Sequence, residues 1–448
     1  MKTVLKILKT VAKVIGGIIG SVLGILAVLS LITLSWGLVQ RGRGTVTDTL
    51  PQTPDDFTPV LRFAVYTDVH CENENVDDAF ETLYRIYDAD EKYKGIDAII
   101  GLGDFSAVGM PEHYVEYVDT VKKYEREGTK IINILGNHEM KQKQAPDYFR
   151  EYFGYEPDNA FEINGYQFIT FSGEPWLTEW TFSPSSVKWL KNALAEAEEK
   201  SDGKPIFTFQ HPHNFGTVYG SAVWCDPQLN TVWAGHSNVI NFSGHSHFPM
   251  NDPRSINQST YTSIGVGAMA RFELDKNYIV GQHPDGYEDA AELCVVEADA
   301  QGRVRIIGYD LLSDTVFCEY FLEDVSSKDN FAYTYKNMKA HDTAPVFPEN
   351  TGAGAERNEN GEWVLSFNEA KSDFIVHHYN VKIYDENGKK IFSDTFVDDY
   401  YVIDEDDTAD FRLPSDTLES AKSYTAVITA VSAYHLKSDA ISLTFTAE

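Results

Sequence analysis

The sequence predicts a layered α/β domain, preceded by one transmembrane helix and followed by an all-β, immunoglobulin-like sandwich. Three observations lead to this prediction. Residues 14–39 form an uncharged apolar run, strand-like and helix-like runs alternate from residue 61, and short alternating strands fill residues 345–448. At 448 residues the chain has room for two or three domains, because domains usually contain about 100–200 residues.

The N-terminal apolar run predicts a membrane anchor. It is long enough to cross a hydrocarbon core of about 30 Å as a helix. Basic side chains are denser before the run than after it: Lys2, Lys6, Lys9 and Lys13 precede it, and Arg41 and Arg43 follow. The positive-inside bias therefore places the N-terminus in the cytoplasm and the rest of a single-pass cell-membrane protein outside. A cleaved signal peptide, and hence secretion, is the alternative, since Ser35 and Gly37 suit a small-residue cleavage site.

Composition and charge restrict the partners of the remaining chain. Hydrophobic residues make up 43% of the sequence, which is typical of packed globular protein. The net charge of -31 disfavours binding of polymeric nucleic acid, since such a surface repels phosphate chains. The predicted divisions are a basic end with the transmembrane helix at 1–40, a linker at 41–60, an α/β domain at 61–340 and a β-sandwich at 345–448.

The α/β domain begins with a βαβαβ pattern. Its predicted strands are 61–67, 97–102 and 131–135, and its predicted helices are 76–93 and 111–127. Further strands are predicted at 166–171, 205–210 and 239–243, with a helix that Ser183 caps and Pro184 begins. Residues 292–310 predict two antiparallel strands around an Ala-Gln-Gly turn. Layers of helix and sheet follow from this alternation.

Seven residues of metal-ligand type lie just after these predicted strands. They are Asp68, His70, Asp104, Asn137, His211, His245 and His247. In open α/β sheets, ligands bind at the carboxyl ends of strands, so we expect these side chains to converge. Each residue alone has a structural interpretation, but 5 of the 13 histidines of the chain, His138 included, belong to these short motifs. We therefore expect a common site.

The ligand types indicate the metal. Carboxylate, imidazole and amide donors without a thiolate suit divalent Mn, Fe, Zn or Co, whose identity the sequence leaves open. Seven ligands are too many for one tetrahedral ion, whereas two ions about 3.5–4 Å apart need a bridging carboxylate. Asp104 lies between the two groups in sequence and is the predicted bridge.

The four cysteines lack zinc-site spacing. We expect free thiols, with a Cys294–Cys318 disulfide as the alternative.

The order of the motifs resembles the calcineurin-like metallophosphoesterase superfamily over about residues 61–320. The motifs are DVH at 68–70, GD at 103–104, GNHE at 136–139, His211, and GHSH at 244–247. The resemblance implies a four-layer α/β/β/α sandwich with two divalent metal ions. It places Asp68, His70, Asp104 and His247 on one ion, and Asp104, Asn137, His211 and His245 on the other. The nucleophile would be a hydroxide that bridges the two ions and attacks phosphorus in line.

Two further residues take roles from this resemblance. His138 matches a histidine that contacts the phosphate and protonates the leaving oxygen, and Glu139 orients a neighbouring group. His213 competes with His211 in the run QHPHN, and we favour His211 because it directly follows a predicted strand. Five aromatic residues lie between the motifs: Trp176, Trp180, Phe215, Tyr219 and Trp224. They indicate either the wall of a pocket or a satellite core.

The chain lacks features of two subfamilies. Purple acid phosphatases supply a tyrosine to a ferric ion shortly after the aspartate that matches Asp104. In this chain Phe105 follows Asp104, and residues 105–110 contain no tyrosine. The arginine that protein serine/threonine phosphatases carry in this stretch is also absent. Ferric charge-transfer chemistry and protein phosphatase activity are therefore disfavoured.

The C-terminal region resembles a fibronectin type III domain. The runs VHHYNVKIYD and SYTAVITAVSAYHLKS are strand-like, and Tyr424 stands at the place of that family's tyrosine-corner residue. We expect a spacer or a contact with carbohydrate or protein.

Together these patterns predict a membrane-anchored extracytoplasmic hydrolase of phosphomonoesters or phosphodiesters. The alternatives are a surface binding or adhesion protein with a vestigial metal site, and a nuclease. The net charge argues against the nuclease, and the presence of His138 beside a full ligand set argues against a vestigial site.

Overall fold

The structure is a computed structural model that describes residues 42–174, 181–226, 228–276, 279–283, 290–403 and 407–447. The predicted transmembrane helix at residues 14–39, and with it the basic N-terminal end, lies outside the described residues. Within the described ranges, no helix is long and apolar enough to cross a membrane.

Helices and strands alternate first, and strands then dominate. The helices are α1 (Asn73–Tyr87), α2 (Pro111–Lys122), α3 (Asn137–Met140), α4 (Ala145–Phe153), α5 (Pro184–Ser201), α6 (Asn230–Trp233) and α7 (Tyr335–His341). The strands are β1 (Pro59–Tyr66), β2 (Ala98–Gly101), β3 (Lys130–Asn133), β4 (Asn159–Ile163), β5 (Tyr166–Phe171), β6 (Ile206–Gln210), β7 (His213–Asn214), β8 (Cys225–Asp226), β9 (Val239–Ser243), β10 (Ile256–Gln258), β11 (Thr262–Gly265), β12 (Leu274–Lys276), β13 (Ile279–Gln282), β14 (Glu292–Asp299), β15 (Val304–Asp310), β16 (Thr315–Leu322), β17 (Ala353–Arg357), β18 (Trp363–Asn368), β19 (Val376–Asp385), β20 (Lys390–Val397), β21 (Thr408–Leu413), β22 (Ser423–Ser432) and β23 (Ile441–Thr446).

Two six-stranded sheets form the α/β part. Their strand orders are β16-β15-β14-β1-β2-β3 and β10-β11-β9-β6-β5-β4. The strands β1, β2 and β3 are parallel, as are β5, β6, β9 and β11. The remaining pairs are antiparallel: they form the β16-β15-β14-β1 half of the first sheet and the two edges of the second. The carboxyl ends of the parallel strands therefore form one edge in each sheet.

The two sheets pack face to face. Phe63 of β1 makes edge contacts with four phenylalanines of the second sheet, at ring-centroid distances from 4.8 to 5.8 Å: Phe168, Phe207, Phe209 and Phe242. All five side chains are fully buried. Aromatic pairs of this geometry stabilise a core by about 0.5–1.5 kcal/mol each beyond the burial of their area.

Helices cover the outer faces of both sheets. The helix α1 buries Phe80 and Leu83 in one apolar cluster with Tyr66 of β1, and α5 buries Leu190 in a cluster with Ile206 of β6. The helix α5 begins as predicted, because the Ser183 hydroxyl accepts the Ser186 N–H at 3.1 Å. The layers run helix, sheet, sheet, helix, so the predicted layered α/β fold is confirmed.

The C-terminal region is rich in β-structure. Its strands form a three-stranded sheet, β17-β18-β21, and a four-stranded sheet, β20-β19-β22-β23. Side chains alternate between buried and exposed along β18 and β22, as in sheets with one face on a core. Trp363, Tyr379 and Ile428 share that core. All four cysteines are free thiols, as expected.

Candidate metal centre

The seven ligand-type residues lie on loops at the carboxyl ends of five parallel strands. Asp68 and His70 follow β1, Asp104 follows β2, Asn137 follows β3, His211 follows β6, and both His245 and His247 follow β9. Because the two sheets face each other, these loops meet above the shared core. All seven residues are buried, with 8% of the residue surface exposed or less.

One group contains Asp68, His70 and His247, whose ligand atoms all lie within 4.8 Å of one another. The Nε2 atom of His247 lies 3.2 Å from Asp68 Oδ1 and 3.0 Å from Nε2 of His70. Two imidazole nitrogens and a carboxylate oxygen thus point towards one small volume.

A second group contains Asp104, His211 and His245. The Nε2 atom of His211 lies 3.1 Å from Asp104 Oδ2 and 3.0 Å from the Asn137 side-chain oxygen. The rings of His211 and His245 are 5.0 Å apart, centroid to centroid. Asn137 therefore joins this group.

The two groups adjoin. Asp104 also forms a third group with His70 and His138, and Nε2 of His211 lies 3.9 Å from Asp68 Oδ1. Asp104 thus faces ligand atoms of both groups, which is the position that a bridging carboxylate requires.

The donors fit a divalent cation. Asp68 Oδ1 is buried and accepts no hydrogen bond from the described residues, although three imidazole Nε2 atoms lie between 3.2 and 3.9 Å away. A buried carboxylate oxygen without a hydrogen bond is costly, and a cation removes that cost. Nitrogen and oxygen donors without sulfur suit the borderline divalent metals.

Backbone carbonyls fix the orientation of three imidazoles. Nδ1 of His247 lies 2.7 Å from the Arg271 carbonyl oxygen, and Nδ1 of His211 lies 2.8 Å from that of Leu102. Nδ1 of His138 lies 2.7 Å from the Ala107 carbonyl oxygen. Since a carbonyl only accepts, each Nδ1 donates a proton and each Nε2 faces the cluster.

Glu139 organises the backbone beneath the site. Its carboxylate accepts N–H groups from Asp104 at 2.9 Å, Ser106 at 2.8 Å and Gly136 at 2.8 Å. Burial and the Asp104 charge raise the pKa of Glu139 to about 8. Gly136 is required here, because a Cβ atom at this position would collide with the Asp104 carboxylate. The GNHE motif therefore shapes the loop that carries Asp104.

Charges within the cluster shift its histidine pKa values apart. Burial lowers the pKa of His70 to about 4. Burial also disfavours charge on His211 and His247, but the Asp104 and Asp68 carboxylates outweigh it and raise both pKa values to about 9. Without a cation, two imidazolium ions thus balance the two aspartates.

His213 lies outside the cluster. Its two ring nitrogens are 2.8 Å from the Ser243 hydroxyl and 2.7 Å from the Ser246 hydroxyl. Burial lowers its pKa to about 3. Both nitrogens are occupied, so the geometry offers His211 and not His213 to a metal.

The loops of the site contain strained backbone conformations, which the amino-acid composition alone does not reveal. Six non-glycine residues of these loops have positive φ angles between 49° and 74°: Asp68, His70, Cys71, Asp104, His245 and His247. Such conformations cost about 1–3 kcal/mol each and collect at functional sites.

Of the aromatic residues between the motifs, Trp224 packs edge-on against His245, with ring centroids 5.4 Å apart. Trp176 and Trp180 lie outside the described residues.

Comparison with known proteins supports this site. Residues 61–249 match the family model of calcineurin-like phosphoesterases, whereas no curated protein matches the chain. A purple acid phosphatase from yellow lupin (Lupinus luteus) seeds is 11% identical with a TM-score of 0.42, over 59% of this chain and 54% of that one. A cold-active protein-tyrosine phosphatase of a psychrophilic Shewanella species is 14% identical with a TM-score of 0.26, over 62% and 87%.

The aligned region spans about half the length of the lupin enzyme, and both structural likenesses are too weak to indicate a substrate. The family match and the clustered histidines and aspartates carry the assignment instead. Residues 61–249 form a calcineurin-like phosphoesterase domain, which supports a metal-dependent phosphoester hydrolase.

Proposed function

We propose that this protein is a membrane-anchored, extracytoplasmic phosphoesterase that hydrolyses phosphomonoesters or phosphodiesters with two divalent metal ions. The observation that carries the proposal is the convergence of two adjoining ligand groups beside His138. A binding protein needs no such histidine beside a complete ligand set.

The metal assignment follows the two groups. One ion would be held by Asp68, His70, Asp104 and His247, and the other by Asp104, Asn137, His211 and His245. The donor types favour Mn, Fe, Zn or Co. Bound cations of this kind supply a water that is nucleophilic near neutral pH and positive charge for the phosphoryl oxygens.

His138 is suited to proton transfer. Its side chain is 24% exposed, whereas that of Asp104 is 1% exposed, so His138 lies at the solvent side of the cluster. Nε2 lies 4.0 Å from Asp104 Oδ2 and is free of the Ala107 contact. Burial lowers the pKa of His138, which makes the protonated ring a stronger acid towards a leaving oxygen.

The proposed membrane location is based on the sequence of residues 1–43. The uncharged apolar run at 14–39 and the lysines before it favour a single span with the N-terminus in the cytoplasm. Protease added to intact cells should cleave the catalytic part but spare an N-terminal tag. A tag that is cleaved from the mature chain would favour secretion instead.

The C-terminal region is proposed to be a fibronectin type III-like module. Its three-stranded and four-stranded sheets support this, as does the Tyr424 hydroxyl, which accepts the Glu419 N–H at 2.8 Å. Binding of carbohydrate or protein by this module stays a prediction.

Hydrolysis of p-nitrophenyl phosphate and bis-p-nitrophenyl phosphate by the full-length chain with added Mn²⁺ tests the function. We expect turnover in the wild type and its loss in Asp104→Asn, while the exposed-carboxylate control Asp416→Asn keeps the wild-type rate. The preferred ester separates monoesterase from diesterase. Absence of turnover in the wild type with any divalent ion would favour the alternative of a binding protein with a vestigial site. Cleavage of DNA or RNA alone would favour a nuclease.

A further inference from the structure

A second group of acidic side chains lies in the C-terminal region, away from the metal centre. Glu369 directly follows β18, and Asp398 and Asp399 directly follow β20. One carboxylate oxygen of each residue lies within 4.8 Å of the others. None of the three belongs to the ligand set of the phosphoesterase domain. Three carboxylates this close repel one another unless a proton or a cation intervenes.

Asp398 shows that the group is more than a solvated acidic patch. Its side chain is buried, with the residue 5% exposed, and its Oδ1 atom accepts no hydrogen bond from the described residues. The loop is nevertheless fixed at this point, because the Asp398 N–H donates to the His377 carbonyl oxygen at 3.0 Å. Burial and the nearby carboxylates raise the pKa of Asp398 well above its usual range. A buried, unsatisfied carboxylate that faces two others is the environment in which a cation is stabilising.

We propose that Glu369, Asp398 and Asp399 bind a calcium ion. The donors are all carboxylate oxygens, which suit hard cations such as calcium, whereas the imidazoles of the catalytic centre suit Zn, Fe and Co. Calcium tolerates flexible carboxylate geometry and completes its shell with backbone carbonyls and water, whereas magnesium requires a near-ideal octahedron.

The loop after Asp399 is one place where the C-terminal region contacts the α/β part of the chain. The Tyr400 carbonyl oxygen accepts the Asn251 side-chain amide at 2.6 Å. The Tyr401 ring stacks on Phe272 with centroids 6.0 Å apart. Both rings share an apolar cluster with Phe248, which directly follows His247 in the sequence. Calcium at Asp398 and Asp399 would therefore fix the loop through which these two parts of the chain contact each other.

Thermal unfolding of the full-length chain tests the calcium site. The protein is first treated with a calcium chelator, and the catalytic centre is then saturated with Zn²⁺, which a site of carboxylates alone does not favour. We expect added Ca²⁺ to raise the unfolding midpoint in a concentration-dependent way, with half-saturation at about 10⁻⁴–10⁻³ M, as in extracellular calcium modules. Asp398→Asn and Glu369→Gln should each weaken the calcium response about tenfold or more, because each removes an anionic ligand.

Two controls separate this site from other effects. The exposed Asp416→Asn and the catalytic-centre variant Asp104→Asn should both keep the wild-type calcium response. If Asp398→Asn does not fold, the less buried Glu369→Gln decides. A wild-type midpoint that is insensitive to Ca²⁺, or an unchanged response in Glu369→Gln, would overturn the proposal. A response to Mg²⁺ but not to Ca²⁺ would overturn the choice of calcium.

Discussion

The Nδ1 atom of His211 lies 2.8 Å from the carbonyl oxygen of Leu102, while Nε2 of the same ring lies 3.0 Å from the Asn137 side-chain oxygen. Leu102 precedes Asp104 by two residues, so one stretch of backbone both carries a carboxylate of the cluster and orients a histidine from the opposite sheet. The two halves of the site are thereby linked across the interface between the sheets.

Replacement of His211 by alanine should remove one metal ion. The variant loses an Nε2 donor of the second ligand group, so we expect metal content to fall by about half and turnover to fall by about 100-fold or more. His213→Ala is the matched control, because its ring nitrogens contact only serine hydroxyls. It should lose stability yet keep its metal content. Elemental analysis of both variants decides, and the reverse pattern would move the ligand to His213.

Glu139→Gln should weaken the site without removing a ligand. The carboxylate accepts three backbone N–H groups. Glutamine replaces one of the two acceptor oxygens by an NH₂ group, and this donor would face a backbone N–H donor. We expect a loss of stability of about 1–3 kcal/mol and metal affinity lower by about 10–100-fold. Denaturant unfolding and metal titration measure the two effects. Wild-type metal affinity in this variant would show that Glu139 has no positioning role.

Metal binding should release protons. The pKa values of His211 and His247 are raised to about 9 in the metal-free cluster, so both rings are protonated near pH 7.5 and a cation must displace those protons. Metal affinity should therefore rise with pH up to about 9. Calorimetric titration in buffers of different ionisation enthalpy counts the protons, and a binding enthalpy that is independent of the buffer would contradict the prediction.

The same shifts fix the sign of a stability change. A raised pKa in the folded state means that these histidines stabilise the metal-free protein fully below pH 6.5, their usual pKa, and that this contribution is lost as the pH rises through about 9. Metal-bound protein should show the opposite trend. Chemical unfolding from pH 6 to 9, with and without chelator, compares the two.

Much of the fold and the metal site could be predicted because both depend on local patterns. The strand predicted at 239–243 has those bounds in the structure, since a short apolar run between turn signals leaves little freedom in its ends. Candidate ligands could be found because strand ends collect function in α/β folds. The sequence favoured His211 over His213 only because His211 directly follows a predicted strand. The serines that contact His213 belong to another strand and its following loop, and sequence spacing carries no sign of them.

Contacts between the C-terminal region and the phosphoesterase domain could not be predicted. Tyr219 was interpreted as part of a pocket wall or a satellite core. It does lie in a small apolar cluster with Phe248 and Phe272, but its hydroxyl also lies 2.5 Å from Nε2 of His377, which is 158 residues away. It also bonds the Asp275 carboxylate. No periodicity encodes such a pair. The spacer interpretation of the C-terminal region also did not anticipate this buried contact with the phosphoesterase domain.

Tyr219→Phe tests the energetic link between the two parts. Loss of the hydroxyl removes hydrogen bonds to the buried His377 ring and to the half-buried Asp275 carboxylate, so we expect destabilisation by about 1–3 kcal/mol. A double-mutant cycle with His377→Gln should give a coupling energy of about 0.5–3 kcal/mol. Tyr424→Phe, whose hydroxyl bonds within the C-terminal region, serves as the control and should show no coupling with His377→Gln. Additive effects of Tyr219→Phe and His377→Gln would mean that the contact is energetically neutral.

The central claim is that the clustered histidines and aspartates form a hydrolytic two-metal centre with His138 as its proton donor. The most direct measurement is metal content together with bis-p-nitrophenyl phosphate turnover on the same preparations of wild type, His138→Ala and the remote control His236→Asn. We predict two metal ions in all three proteins, with turnover lower by about 100-fold or more only in His138→Ala. Full turnover in His138→Ala, or two bound metal ions without turnover of any phosphoester in the wild type, would contradict the account.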